Sequence, residues 1–349
     1  MRKVLFVLLF IGVLTAFAAP AKAVDYTAPS APENIAELMP VQTENFGQGL
    51  WKVIKSGLKA VQPELLTAAK LCVSLFAVML LVGLIRNIPG SQSWTVEFAT
   101  ALAIGGLLLT QSHSMIRLAG ETIEEMGEYG SLLIPVMTAA MAAQGWTTSA
   151  STIYAGTVGF NYVLTLLISK ILIPGVYIFL VLAVAAAATD EESIKKIRDF
   201  LKWISTWALK IVLYIFTGYM GITGVVSGTA DAAAVKAAKL SISGMVPVVG
   251  GILSNASEAV IVGVGVVKSG VGIYGLITFC AILIGPFLTI GIQYIMLKVT
   301  AALCEGFQLK RPTELVKNFS SALGLLLGMA GTVTILLMIS TVCFMRGVS

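Results

Sequence analysis

The sequence predicts an all-α polytopic membrane protein, on three observations. Of its 349 residues, 57% are hydrophobic and only 12% are charged, about half the charged share of a typical soluble domain. Mean hydropathy is +0.92, and apolar runs long enough to cross a bilayer recur along the chain. Glycine occurs 34 times, which suits close approach of helices in lipid. We expect about seven transmembrane helices, a re-entrant or interfacial helical hairpin, and amphipathic surface helices.

Residues 1–23 have the plan of a signal peptide: two basic residues, an apolar run, and the A-x-A exit Ala21-Lys22-Ala23. Residues 24–67 follow as an extracytoplasmic segment, a proline-containing linker and then an amphipathic helix. The apolar positions of that helix recur at helical spacing, and Lys52, Lys55 and Lys59 lie on its opposite side. Such a helix either lies on the outer membrane surface or packs on the rest of the protein.

The predicted membrane domain comprises residues 68–349. Its apolar segments are 68–85, 95–110, 131–149, 151–169, 171–188, 204–228, 271–297 and 322–344. The pair 131–149 and 151–169 either both cross the membrane or neither does. Lysine and arginine favour the cytoplasmic side, which places Arg86, 189–203 and 298–320 inside and the glutamate-rich segment 111–129 outside. In that last segment we predict an apolar helical stripe opposite a solvated acidic face. The stripe consists of Met115, Ile116, Ala119, Ile123 and Met126.

The stretch Thr229–Gly275 does not fit a simple span. Charged residues and helix breakers interrupt it, and its apolar run 259–267 is far shorter than the roughly 20 residues that cross a bilayer. At membrane depth such features face protein or a wet cavity. We therefore expect a re-entrant, glycine-rich gate element shaped by Pro247, Gly250, Gly251, Glu258 and Lys268. Helix-packing sites are predicted at two small-residue motifs, Gly224-x-x-x-Gly228 and Gly324-x-x-x-Gly328.

No catalytic constellation is visible, and we expect neither an enzyme nor a bound cofactor. The single histidine, His113, lacks the supporting pattern of a Ser-His-Asp relay. The four cysteines form no CxxC pair, which argues against a metal site. The formal net charge is +5, and more than half of it belongs to the three basic residues of the signal peptide. No basic surplus is left to indicate a nucleic-acid partner.

Three runs in the second half carry a family resemblance: Met245-Val-Pro-Val-Val-Gly-Gly251, Leu253-Ser-Asn-Ala-Ser-Glu258 and Lys268-Ser-Gly-Val-Gly272. With them, and with a basic loop holding Lys310-Arg311-Pro312, the chain resembles the stage III sporulation protein AE family along essentially its whole length. The resemblance implies the polytopic membrane component of a secretion-like channel complex in endospore-forming bacteria. It also implies a location in the mother-cell membrane that surrounds the forespore.

The partners implied by the resemblance are the other stage III A proteins, including ring-forming proteins and an ATPase supplied by another subunit, in an oligomeric complex. The segments 190–207 and 298–320 are the two candidate contact sites for that ATPase. The protein would act as a pore or export gate, or as a structural scaffold without a conduit. A stand-alone secondary transporter is the competing class, and it predicts broken helices in both halves of the chain.

Overall fold

The computed structural model describes residues 28–39, 46–86, 93–143, 147–222, 270–306 and 309–348. Every regular element in these ranges is helical. After a short 3-10 helix, Glu33–Leu38, the helices are α1 (Phe46–Ala60), α2 (Gln62–Arg86), α3 (Ser93–Ala143), α4 (Thr147–Leu167), α5 (Ile173–Thr189), α6 (Glu192–Ile222), α7 (Gly270–Glu305) and α8 (Lys310–Val348). The all-α class predicted from composition is confirmed.

Helix α8 forms the axis of the bundle. In its most apolar stretch, 94% of the residues are buried inside the protein. Helices α3, α4, α5, α6 and α7 all pack against it. Four hydroxyl groups in the apolar part of this helix donate to its own backbone, as in Thr332 Oγ1 to Gly328 O at 2.8 Å and Ser340 Oγ to Leu336 O at 2.8 Å. Because these four hydroxyl groups are satisfied within the helix, the apolar part of α8 can be enclosed by its neighbours without leaving them unpaired.

Side-chain contacts fix the directions of the helices around this axis. α3 runs in the same direction as α8, since Glu97 pairs with Arg311 and, further along both helices, Met126 contacts Thr334. α7 runs in the opposite direction, since Tyr294 O accepts a hydrogen bond from Ser320 Oγ and Gly272 meets Met345. α3, α6 and α8 therefore begin at one end of the bundle, where α5 and α7 finish. We call it the charged end.

Five described helical stretches are long and apolar enough to cross a membrane: Gln62–Ile85, Ala150–Thr189, Glu192–Met220, Gly270–Glu305 and Lys310–Met345. The predicted count of about seven is not confirmed. The segments 151–169 and 171–188, predicted as separate crossings, belong to one continuous helical run. A π-helical turn, Ile168–Leu172, joins α4 to α5 directly before Pro174. That turn accommodates the missing N–H of the proline.

The segment 111–129, predicted to lie outside the membrane between two spans, is instead the middle of a longer helix, α3, which has 51 residues. At 1.5 Å per residue that helix is about 77 Å long, against a hydrocarbon core of about 30 Å. The predicted apolar stripe of this segment is confirmed, because its five members are at most 6% exposed. Glu121, Glu124 and Glu128 are exposed on the opposite side.

The amphipathic helix α1 packs lengthwise on α7. Its buried face consists of Phe46, Gly49, Val53 and Gly57, and a Cβ on Gly57 would lie 3.0 Å from Ile284 of α7. The glycines let the two backbones approach closely. The structure therefore shows this helix packed on the rest of the protein, and its placement on the outer membrane surface stays a prediction.

Candidate partner-docking surface

The predicted gate element lies outside the described residues, apart from its last residues in α7. The residues outside are Pro247, Gly250, Gly251, Glu258 and Lys268, together with the packing motif Gly224 and Gly228. Gly324 and Gly328 lie buried within α8. The roles assigned to all of these residues stay predictions.

The described residues instead form a network of ion pairs between helices at the charged end of the bundle, around two arginines. Arg311, in the first turn of α8, pairs with Glu97 of α3 at 3.1 Å and with Asp190 at 3.1 Å. The side chains of Arg311 and Glu97 are only 24% and 18% exposed. One guanidinium therefore ties the start of α8 to the start of α3 and the end of α5.

The second arginine, Arg198 of α6, is more deeply placed, with its side chain 6% exposed. It pairs with Glu314 of α8 at 3.1 Å and with its neighbour Asp199 at 2.9 Å. One turn along, Lys202 Nζ donates to Ser321 Oγ at 3.1 Å. Polar contacts therefore join α6 and α8 near the charged end. Further from that end, the contact between the two helices is apolar.

Asp190 owes its place in this network to the backbone. It has φ 60°, a left-handed conformation that aspartate tolerates better than most residues. Its N–H donates to Ala186 O at 2.9 Å, which caps the C-terminus of α5. The resulting sharp turn into α6 brings the carboxylate between Arg311 at 3.1 Å and Lys195 at 2.7 Å.

The hydrogen bond from Lys195 and the charge of Arg311 hold the pKa of Asp190 below its ordinary value of 3.8. A carboxyl group with a lowered pKa contributes stability above its unfolded pKa, and that contribution is lost as the pH falls through the folded pKa. We expect the thermal unfolding midpoint to fall on acidification below about pH 4, and Asp190→Asn to flatten this acid dependence. Unfolding of both proteins, followed by tryptophan fluorescence between pH 7 and pH 3, measures the difference. Parallel pH curves would contradict it.

The network merges the two segments predicted as alternative contact sites for an ATPase. Arg198 lies in 190–207 and its partner Glu314 lies in 298–320. Next to Glu314, a cleft of about 270 Å³ opens where α7 turns into α8, lined by Glu305, Leu309, Lys310, Thr313, Glu314 and Lys317. Lys196 and Lys310 are exposed at the rim of the same end. We call this merged area the docking surface.

Sequence reasoning had identified the charged segments but not this pairing. Glu97 lies in an apolar span, and its isolated charge was the available signal. An acid within a membrane segment needs a basic partner, and Arg311 meets that need. Within the described ranges, no group of histidine, cysteine, aspartate and glutamate side chains is placed to hold a metal ion.

A helical bundle with several long apolar helices, a buried central helix and a network of ion pairs at one end defines a polytopic integral membrane protein. The family model for stage III sporulation protein AE matches residues 34–347, and the chain belongs to that family. The stage III sporulation protein AE of Bacillus subtilis (strain 168) is 26% identical over 199 residues, which cover 57% of this chain and 50% of that protein. The chain thus spans about half the length of this curated relative. No solved structure matches this chain.

Proposed function

We propose that this sporulation protein is the polytopic membrane component of the stage III A complex that joins mother cell and forespore. The docking surface carries the proposal. Residues from α3, α6, α8 and the turn after α5 are tied into one charged surface at a single end of the bundle. Lysine and arginine content assigns this end to the cytoplasm, where an ATPase subunit would bind.

The packing of α8 bears on how such a component would work. Because α8 fills the axis of the bundle and is enclosed by its neighbours, the described helices of one copy leave no room for a conduit along that axis. A conduit through the complex would therefore run between copies or between this chain and its partners. This favours a structural membrane platform, with a shared pore, over a transporter that works as a single subunit.

Charge reversal at the exposed rim tests the proposal. In the double variant Lys196→Glu, Lys310→Glu, we expect co-purification of the ATPase of the complex to fall about tenfold, an effect of about 1.4 kcal/mol. Counts of heat-resistant spores should fall with it. Neither lysine belongs to the ion-pair network, so the amount of protein in the membrane should not change.

The control is a charge reversal at Glu33, which is exposed in the short N-terminal 3-10 helix. Glu33→Lys should leave both ATPase binding and spore counts at the wild-type level. ATPase binding that survives the lysine reversals undiminished would contradict the proposed use of the docking surface.

A further inference from the structure

Two rows of exposed charge lie along the sides of the bundle, away from the docking surface. The first is on α1, where Lys52, Lys55 and Lys59 are exposed on the side opposite the buried face of that helix. The lysines follow i, i+3, i+7 spacing, which aligns them along one helix face. None of the three forms an ion pair with another described residue. We call them the lysine row.

The second row is on α3, where Glu121, Glu124 and Glu128 are exposed with the same i, i+3, i+7 spacing. Glu121 contacts Arg117 of its own helix at 3.4 Å, and both side chains are well exposed. Glu124 and Glu128 form no ion pair within the described ranges. We call these three residues the glutamate row.

The two rows lie at the same depth in the bundle, as measured along α7. On the α1 side, Gly57 faces Ile284 of α7. On the α3 side, the Tyr129 ring packs edge-on against Phe279 with centroids 5.3 Å apart. Because α3 and α7 are antiparallel, five residues back from Tyr129 and five forward from Phe279 bring Glu124 to the level of Ile284. The centres of both rows are therefore level.

Helix α7 separates the two rows within one copy. Its Ile284 faces α1, whereas its Gly275 faces Leu133 of α3. These positions are nine residues apart, which is about 2.5 turns and places them on opposite sides of α7. Since both charged rows also point away from their own buried faces, the lysines of one copy are not positioned to reach its own glutamates.

The directions of α1 and α3 determine which lysine of one copy would lie opposite which glutamate of the next. α1 runs with α7, since Met39 contacts Thr278 just before α1 begins and Gly57 meets Ile284 further along. α3 runs against α7, so α1 and α3 are antiparallel. Two copies inserted in the same orientation, placed side by side, would set Lys52 opposite Glu128, Lys55 opposite Glu124 and Lys59 opposite Glu121. Both rows are about 10.5 Å long, so all three pairs form together.

We infer that the lysine row of one copy of this chain binds the glutamate row of the next copy. Two different surfaces meet in such a contact, so it repeats from copy to copy and produces a ring if the rotation closes, or an open chain if it does not. The association does not depend on the sporulation partners, because it needs only copies of this chain.

The opposite character of the α4 side supports this assignment. His113 of α3 is hydrogen-bonded to Tyr177 of α5 at 2.9 Å. Counting eleven residues forward from His113 and eleven back from Tyr177 places Glu124 level with Leu166 of α4. There α4 exposes an apolar stripe of Tyr154, Val158, Tyr162 and Leu166, each at least 38% exposed. A surface of this kind suits lipid. Unpaired charges at the same depth would be costly in lipid, and a second copy covers them with charges of opposite sign.

Charge reversal with rescue between copies tests the contact. Two differently tagged full-length chains are co-expressed in membranes, and co-purification of one tag with the other is measured. Lys52→Glu, Lys55→Glu, Lys59→Glu in both copies makes both rows acidic, and co-purification should fall about tenfold or more. Glu121→Lys, Glu124→Lys, Glu128→Lys in both copies makes both rows basic and should have the same effect.

The decisive sample contains one copy of each variant. Every contact between an acidic and a basic copy then has opposite charges again, so co-purification should return to near the wild-type level. Merely structural damage would not be repaired by a second damaged chain. Reversed variants that associate like wild type, or a mixed sample that stays dissociated, would overturn the inference.

Cross-linking identifies what occupies the glutamate row. In a background without the four native cysteines, Lys55→Cys in one tagged copy and Glu124→Cys in the other should give a disulfide between the two tags. A link confined to a single chain carrying both substitutions would show that the chain covers its own row. A glutamate row that cross-links only to an unrelated protein would also count against self-association.

Discussion

Replacing Gly156 with alanine is expected to destabilise the protein by about 1–3 kcal/mol, the usual cost of overpacking a filled core. Gly156 is buried in α4, and a Cβ at this position would overlap the Tyr219 ring of α6. That ring cannot easily move away. Its hydroxyl donates to Thr152 O at 2.9 Å, and Phe160 packs against it with centroids 5.8 Å apart. The measurement is the thermal unfolding midpoint in detergent micelles.

The matched control is Gly159, three residues along the same helix and exposed. A Cβ there has no atom within 4 Å, and alanine is favoured over glycine in a helix by up to about 1 kcal/mol. Gly159→Ala should therefore leave stability unchanged or raise it. The two substitutions have opposite expected signs, so equal shifts in the unfolding midpoint would show that the α4–α6 contact is not packed as described.

Arg311→Gln is expected to cost about 2 kcal/mol, because it leaves Glu97 and Asp190 without their shared partner. This figure is below that for a fully buried pair, since these side chains retain contact with water. Lys317→Gln provides the comparison. Lys317 pairs with Glu305, both side chains are more than half exposed, and its loss should cost at most about 0.5 kcal/mol.

A second substitution shows whether the cost arises from the ion pair. Glu97→Gln removes the least exposed of the acids that face Arg311. If the pair is responsible, Glu97→Gln combined with Arg311→Gln should be more stable than the sum of the single effects implies. Strictly additive effects would mean that the two side chains act independently.

Much of the architecture could be predicted because lipid imposes simple rules. Apolar runs identified the helices, and the lysine and arginine counts assigned 189–203 and 298–320 to one side. The structure places these two segments at the same end, joined by Arg198 and Glu314. The stripe around Ile123 was predictable too, because its helical spacing is visible in the sequence.

The arrangement of the helices could not be predicted in the same way. The run Ala322 to Phe344 is apolar whether lipid or protein surrounds it, so hydropathy does not show that α8 is central. The sequence pattern separates the segment 151–169 from 171–188 and the acidic segment 111–129 from the apolar segments beside it, yet each lies in a continuous helical run. The depth match of the lysine and glutamate rows depends on which helices flank α7, and that is a property of the packed bundle alone.

The position of α8 also has a consequence for biogenesis. α8 is the last of the described helices to leave the ribosome, but it is the one around which the others pack. The earlier helices can enter the membrane in order, yet their apolar faces toward the axis have no partner until α8 arrives. Assembly of the bundle is therefore completed after synthesis of its final described helix, and a chain stopped before Lys310 would be a substrate for membrane quality control.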